Sequence, residues 1–200
     1  MIRSVRTAAA VALAVSLTAV ACTSEKKDGG SPSSAEARSA PLRKLPGIRV
    51  SGHVIDELEV GTREVKRRPV AEVRLGLDRL VPYVEPTACG LLVTGAKGGT
   101  SGLTSGWPED EGEDSPDFPG GPYRSGSFSQ GERGAPFAQL WCSRRAVVIA
   151  YDAKEHRRAS GVRGAVSVVR VREGRTVHLV VGPERTRTEI AAALASGRTP

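Results

Sequence analysis

The chain has 200 residues and carries 29 Lys and Arg against 22 Asp and Glu, a formal net charge of +7. Hydrophobic residues make up 39%, which is too many for a wholly disordered protein, and a single apolar stretch longer than a dozen residues excludes a polytopic membrane protein. Three cysteines exclude a disulfide-dense scaffold, so we expect one globular domain with attachments.

Residues 1–21 have the pattern of an export signal. Arg3 and Arg6 supply a positive start, and Ala8 to Val20 is an apolar stretch too short to remain as a membrane-spanning helix. Small residues then precede Cys22, as signal peptidases require. We therefore expect export from the cytoplasm and removal of this segment.

The residues around Cys22 indicate a lipid anchor. Leu17-Thr-Ala-Val-Ala-Cys22 resembles the lipobox of bacterial lipoproteins, although Ala19 stands where Leu is usual. The resemblance implies that the Cys22 thiol carries a diacylglyceryl group with palmitate-type chains and holds the protein at the outer, extracytoplasmic face of the cell membrane. The same residues also suit ordinary secretion, which would leave one cysteine unpaired.

Residues 22–46 are expected to form a flexible tether, because they are rich in Ser, Gly, Ala and Pro and contain almost nothing that a core would bury. Removal of residues 1–21 leaves a net charge of +5. That charge would favour weak attraction to an anionic outer leaflet, and an ordinary solvated surface accounts for it equally well.

Residues 47–200 form the expected domain, which we predict to be α+β with an antiparallel sheet and one or two packing helices. Residues 98–136 contain ten of the 23 glycines and five of the 13 prolines, so we expect a disordered insertion that folding does not need. Six acidic residues crowd within it: Glu109, Asp110, Glu111, Glu113, Asp114 and Asp117.

The first half of the domain gives mixed signals. Ile48 to Val54 alternates as a strand does, and Leu91 to Thr94 and Ala146 to Tyr151 are short apolar runs with β character. Val70 to Val84 fits both a helix entered through Pro69 and an alternating strand, and we favour the helix.

The last third predicts a β-hairpin followed by a helix. A three-residue loop of residues 172–174 would pair Val169 with Val177 and leave His178 on an exposed face. We reject a two-residue turn, which shifts the pairing by one residue and sets valines against a polar face. After Pro183 we expect a helix with a capping box from Thr186 to Glu189, an apolar stripe of Ile190, Ala193 and Leu194, and an end at Gly197.

Cys89 and Cys142 are expected to form a disulfide across the insertion, because an exported protein folds in an oxidising space. The alternative is two buried free thiols. With Cys22 lipidated, this pairing accounts for all three cysteines.

Few residues point to catalysis or to a cofactor. His53, His156 and His178 lack metal-ligand spacing, and no serine-nucleophile motif is present, so we predict no metal, cofactor or catalytic residue. The acidic cluster suits a solvated loop better than a calcium site. The basic runs Lys66-Arg67-Arg68, Arg144-Arg145 and Arg157-Arg158 are candidates to face phosphates or anionic envelope polymers, and nucleic acid is not expected as a partner.

Two segments carry a further resemblance. Pro86-Thr-Ala-Cys89-Gly-Leu-Leu92 and the later Leu140-Trp-Cys142, followed by a terminal helix, resemble small uncharacterised lipoproteins of high-GC Gram-positive bacteria, which implies an anchor and no particular activity. We therefore predict a membrane-anchored binding module for an envelope protein, polymer or small ligand. The alternatives are an extracytoplasmic hydrolase and a structural or stress-sensing envelope component.

Overall fold

Two antiparallel sheets pack face to face, and a helix covers the outer side of one of them. The structure, a computed structural model, describes residues 40–52, 66–95, 98–108, 118–128, 138–153, 158–171 and 175–200. Cys22, His53, His156, Arg157, the six acidic residues of 109–117 and the loop 172–174 lie outside these ranges. The architecture is α+β with a C-terminal helix, as predicted.

The first sheet has the strand order β5-β4-β3-β2-β9, with β1 paired to β3. Its strands are β1 (Arg68–Pro69), β2 (Ala71–Leu75), β3 (Asp78–Val84), β4 (Ala88–Thr94), β5 (Thr100–Gly106) and β9 (Ala159–Gly164). The second sheet has the order β10-β11-β8-β7-β6. Its strands are β6 (Arg124–Phe128), β7 (Ala138–Cys142), β8 (Val147–Asp152), β10 (Val166–Arg170) and β11 (Thr176–Val181).

Two further elements complete the described part of the chain. A short 3-10 turn, Pro41–Lys44, precedes the first sheet, and helix α1 (Glu184–Ala195) follows β11. The main core lies between the sheets, and a second apolar cluster joins α1 to the outer face of the second sheet. No helix in the described ranges is both long and apolar enough to cross a bilayer.

The two sheets are joined at both edges. On one side the chain passes from β9 to β10 through Gly164, whose φ of +82° and contact with the Val70 carbonyl leave no room for a side chain. On the other side, Ser105 of β5 donates a hydrogen bond from its hydroxyl to the Arg124 carbonyl of β6, at 3.2 Å. The sandwich is therefore closed around its core.

The predicted disulfide is present and links the two sheets. Cys89 of β4 and Cys142 of β7 are both fully buried, and their Cα atoms are 5.9 Å apart. The short apolar runs also fold as predicted, since they lie within β4 and β8.

The predicted helix over Val70 to Val84 is wrong. This stretch forms β2 and β3, joined by the two residues Gly76 and Leu77. Gly76 has a φ of +64°, the left-handed conformation that tight hairpin turns require. The alternative that the sequence analysis left open, an alternating strand, is the correct one.

The predicted strand over Ile48 to Val54 is also wrong for the residues described. Residues 48–52 form no strand, and Ile48 donates one backbone bond, from its N–H to the Pro69 carbonyl at 2.9 Å. Val50 packs on the outer face of the first sheet against Val81, Tyr83 and Leu92.

The C-terminal hairpin exists, but its predicted register was off by one residue. Val169 lies opposite His178, and Arg170 lies opposite Val177, which is the pairing that we rejected. The rejection assumed that one face of the hairpin is polar and solvated. In fact Val177 faces the first sheet while Val180, on the opposite face, packs under α1, so both faces are buried.

Helix α1 follows Pro183 as predicted, but it starts at Glu184, and no side chain caps it. The predicted capping box at Thr186 is therefore wrong. Its buried face is Ile190, Ala193 and Leu194, as predicted, and Gly197 lies just beyond its end with a φ of +83°.

The predicted disordered insertion contains structured residues. β5 and β6 fall inside 98–136, and Trp107 and Phe118 are each only 5% exposed. The predicted tether also ends too late, because Ala40, Leu42 and Leu45 belong to the main core. The folded domain thus includes residues from 40 onward.

Candidate anion-binding end

Three basic segments that are far apart in sequence meet at one end of the sandwich, which we call the basic end. They are residues 41–44, 66–68 and 144–145. The Leu42 N–H donates to the Arg144 carbonyl at 3.2 Å, which joins the 3-10 turn to the β7–β8 loop. The Arg68 guanidinium donates to the Arg43 carbonyl at 2.7 Å, which joins the turn to β1.

A shallow cleft of about 180 Å³ opens at the basic end. Its lining residues are Arg43, Lys66, Arg68, Val84, Glu85 and Pro86. Its walls therefore come from the 3-10 turn, from the start of β1 and from the β3–β4 turn. This cleft can admit a small anionic group, because three of its six lining side chains are cations.

Two of the arginines hold the fold together. Arg68 also donates to the carbonyls of Leu42, at 3.4 Å, and Leu45, so its guanidinium satisfies the end of the 3-10 turn. Arg67 donates from Nε to Glu85 at 3.0 Å and lies over the Tyr83 ring, 5.3 Å from its centre. Burial raises the pKa of the Tyr83 phenol above its usual value.

Three other cations are exposed, one from each segment. Lys44, Lys66 and Arg145 lie on the surface, and their side chains make no hydrogen bond or ion pair to a described residue. Their charges are therefore directed into solvent.

The described residues of the three basic segments and of the β3–β4 turn have an excess of positive charge. Residues 40–47, 66–70, 84–88 and 143–146 carry seven Lys and Arg residues and one carboxylate, Glu85. Closely spaced like charges raise the local concentration of anions, and their field falls off over about 8–10 Å at physiological ionic strength. Trp107 and Phe118, which flank the acidic residues 109–117, also lie at this end. The backbone N–H of Trp107 donates to the Thr87 carbonyl at 2.8 Å, and the Ser143 hydroxyl donates to the Gly120 carbonyl at 2.7 Å.

A second basic cluster, on the outer face of the first sheet, is engaged within the fold. Glu72 is 2% exposed and accepts from Arg79 at 2.9 Å and from Arg163 at 3.2 Å. The same two arginines donate to the carbonyls of Ser51 and Arg49 and so hold residues 49–51 against the sheet. These contacts make the cluster a structural clamp rather than a ligand site.

The prediction that His178 lies on an exposed face is wrong. His178 is 7% exposed, in β11, and its Nδ1 is buried without a hydrogen-bond partner among the described residues. Burial lowers the pKa of the imidazole below its usual value. No described carboxylate orients the ring, as a catalytic histidine would need.

The structure brings together only some of the residues that the sequence singled out. It joins Lys66-Arg67-Arg68 to Arg144-Arg145, whereas Cys22, Arg157 and the acidic cluster lie outside the described ranges. Arg43 and Lys44 were missed because they were assigned to the tether; the apolar pair Leu42 and Leu45 beside them was the available signal. In the described residues, no three His, Cys, Asp or Glu side chains are grouped to hold a metal ion.

Compared with known proteins, the chain matches no family model, no curated protein and no solved structure. The functional argument therefore depends on the chemistry of the basic end itself.

Proposed function

We propose that this protein is a lipoprotein anchored through Cys22 at the outer face of the cell membrane, and that its sandwich domain binds an anionic partner at the envelope through the basic end. The partner's recognised chemistry is phosphate or carboxylate, because lysine and arginine side chains donate hydrogen bonds and positive charge to both.

One observation carries the binding role: three separate segments place cations at the same end of the sandwich, where Arg43 and Lys66 line a cleft. A fold that served only as a spacer would not need them together, since neighbouring like charges repel and oppose the compact state. Lys44, Lys66 and Arg145 form no compensating pair with a described residue. Their charge is therefore available to a ligand.

The disulfide supports the extracytoplasmic part of the proposal. Cys89 and Cys142 form a buried bridge between the sheets, and such bridges persist in oxidising compartments. The pairing leaves Cys22 as the odd cysteine, at the end of a segment with the pattern of an export signal.

Fractionation of bacterial cells tests the anchor. The wild-type protein should be found with membranes and should carry a lipid on Cys22 by mass spectrometry, whereas Cys22→Ala should be released or remain unprocessed. The double variant Cys89→Ala/Cys142→Ala is the matched control, since it also removes thiols but should keep the lipid. Wild-type protein that is soluble, with an unmodified Cys22, would refute the anchor.

Binding to soluble polyphosphate tests the basic end. The Cys22→Ala protein should bind this polyanion in a salt-dependent way, and Lys44→Gln/Lys66→Gln/Arg145→Gln should weaken the binding strongly. The control Arg74→Gln/Arg158→Gln/Arg175→Gln removes three charges from exposed side chains towards the other end of the strands and should bind as before. Arg74 lies 3.8 Å from Glu72, whose closer pairs with Arg79 and Arg163 remain in the control. Equal losses in both triple variants would show that only net charge matters.

A further inference from the structure

The basic end contains the first residues that the structure describes after the proposed anchor in the chain. Residue 40 is the first that the structure describes, and it is already buried, 4% exposed, directly before the Pro41–Lys44 turn. Seventeen residues separate Cys22 from Ala40. Even fully extended, they reach at most about 60 Å.

We propose that the basic end docks on the phosphate headgroups of anionic lipids in the same leaflet that holds Cys22. This inference depends on the anchor in the proposed function. It adds the ligand, a lipid phosphodiester, and an orientation, with the basic end towards the membrane and the far ends of the strands away from it.

The exposed surface of the basic end consists of turns. The 3-10 turn contributes Lys44, the β3–β4 turn contributes Pro86 and Thr87, and the β7–β8 loop contributes Arg145, all of them exposed. Lys66 adds a third exposed cation at the rim of the cleft. A headgroup phosphate at the cleft would meet Lys66, and neighbouring headgroups would meet Lys44 and Arg145, without any rearrangement of the strands.

The other arginine-rich surface does not compete for this role. Arg79 is mostly buried and Arg163 is paired, and both are engaged with Glu72 and backbone carbonyls. Two exposed cations of the control set, Arg158 and Arg175, precede β9 and β11 at the end of the sandwich opposite the basic end. Among these described surfaces, the basic end is the one that combines unpaired exposed cations with Ala40, the first described residue after Cys22 in the chain.

If the chain is anchored in the membrane, even a weak affinity of the basic end for lipid is enough to keep that end docked. A tethered site meets its surface as an intramolecular event, at an effective concentration set by the linker. Each Lys or Arg close to an anionic lipid surface strengthens binding by about 1 kcal/mol, which corresponds to about fivefold. Removal of three such residues should therefore weaken vesicle binding about 100-fold.

Co-sedimentation with lipid vesicles tests the docking without the anchor. The probe is the mature chain, residues 22–200 carrying Cys22→Ala, mixed with vesicles of phosphatidylglycerol and phosphatidylcholine or with vesicles of phosphatidylcholine alone. We expect binding only to vesicles that contain phosphatidylglycerol, a steep loss as salt rises, and the 100-fold loss in Lys44→Gln/Lys66→Gln/Arg145→Gln. The Arg74→Gln/Arg158→Gln/Arg175→Gln control should bind as the parent does.

A charge-preserving variant separates binding from folding. Lys44→Arg/Lys66→Arg/Arg145→Lys changes the same positions but keeps their charge, so it should retain vesicle binding. Its failure to bind despite a normal unfolding transition would overturn the proposal, as would equal binding to both kinds of vesicle.

Comparison with polyphosphate distinguishes this inference from the proposed function. If the chain binds polyphosphate but not phosphatidylglycerol vesicles, the lipid assignment is wrong while the anionic partner stands. If it binds neither, both are wrong. Vesicle binding that polyphosphate displaces, and that the triple neutral variant lacks, supports the lipid as a ligand of the basic end.

Discussion

Reduction of the Cys89–Cys142 disulfide should destabilise the domain strongly. The bridge spans 53 residues and connects two different sheets, so in the unfolded chain it closes a long loop. The chain-entropy relation for a loop of this length gives about 4 kcal/mol of stabilisation at 25 °C. That is a large share of the total, since small domains are stable by about 5–15 kcal/mol.

Urea unfolding with and without reductant measures this effect. With a slope of about 2 kcal/mol per molar urea, the loss should move the unfolding midpoint down by about 2 M. The variant Cys89→Ala/Cys142→Ala should unfold at least as early as the reduced protein, because both sulfur positions are fully buried and their loss leaves small voids.

Cys22→Ala is the control for the reductant itself. It leaves the bridge in place, so it should keep the wild-type midpoint under oxidising conditions and show the same fall when reduced. Identical urea midpoints for oxidised and reduced wild-type protein would refute the argument that the bridge stabilises the fold by restricting the conformations of the unfolded chain.

Three other changes test separate parts of the structure. Burial lowers the pKa of His178 in the folded protein below 6.5, the value in the unfolded chain, so the free energy of unfolding from urea titrations should be greatest above pH 6.5 and fall as the pH drops below it. His178→Gln should flatten this fall, and a pH profile unchanged by the substitution would contradict the argument. Glu72→Gln should cost about 2 kcal/mol in thermal or urea unfolding because it removes the charged partner of the mostly buried Arg79, whereas Glu189→Gln, on an exposed helix pair, should cost at most about 0.5 kcal/mol. Replacing residues 100–131 with a short Gly/Ser linker should abolish cooperative unfolding, because it removes β5 and β6; a normal transition would restore our original expectation that this stretch is dispensable.

The parts of the fold that the sequence predicted correctly carry a local signal. Residues 146–151 are apolar at almost every position because β8 is buried on both faces, and such a run is hard to place elsewhere. The stripe of Ile190, Ala193 and Leu194 repeats with helical spacing and does lie under the helix. In both cases, neighbours along the chain supply the information.

The errors share a different cause. The prediction of the hairpin register is wrong because α1, which follows β11 in the chain, covers a face of the hairpin that the alternation of residues marked as solvated. Val180 and His178 are buried there, so the alternation of polar and apolar residues no longer marks the inside. Over residues 70–84, Gly76 was counted against the length of a helix when its positive φ in fact closes a hairpin.

The basic end shows why a site of this kind is only partly visible in sequence. Lys66 and Arg145 lie in basic runs that stand out, but 75 residues separate the end of the first run from the start of the second, and nothing local indicates that they meet. Contact follows only from the strand order, which brings β1 and the β7–β8 loop against the same 3-10 turn. The sequence did not indicate that turn, because Leu42 and Leu45, which belong to the main core, form only a short apolar pair among Ser and Pro residues. Burial also fixes the position of the turn: Leu42 is fully buried, so Arg43 and Lys44 are held within a few residues of Ala40, where the described part of the chain begins. A rigid cationic surface beside a tether is a better membrane contact than the same charges on the tether itself, because less conformational entropy is lost when it binds.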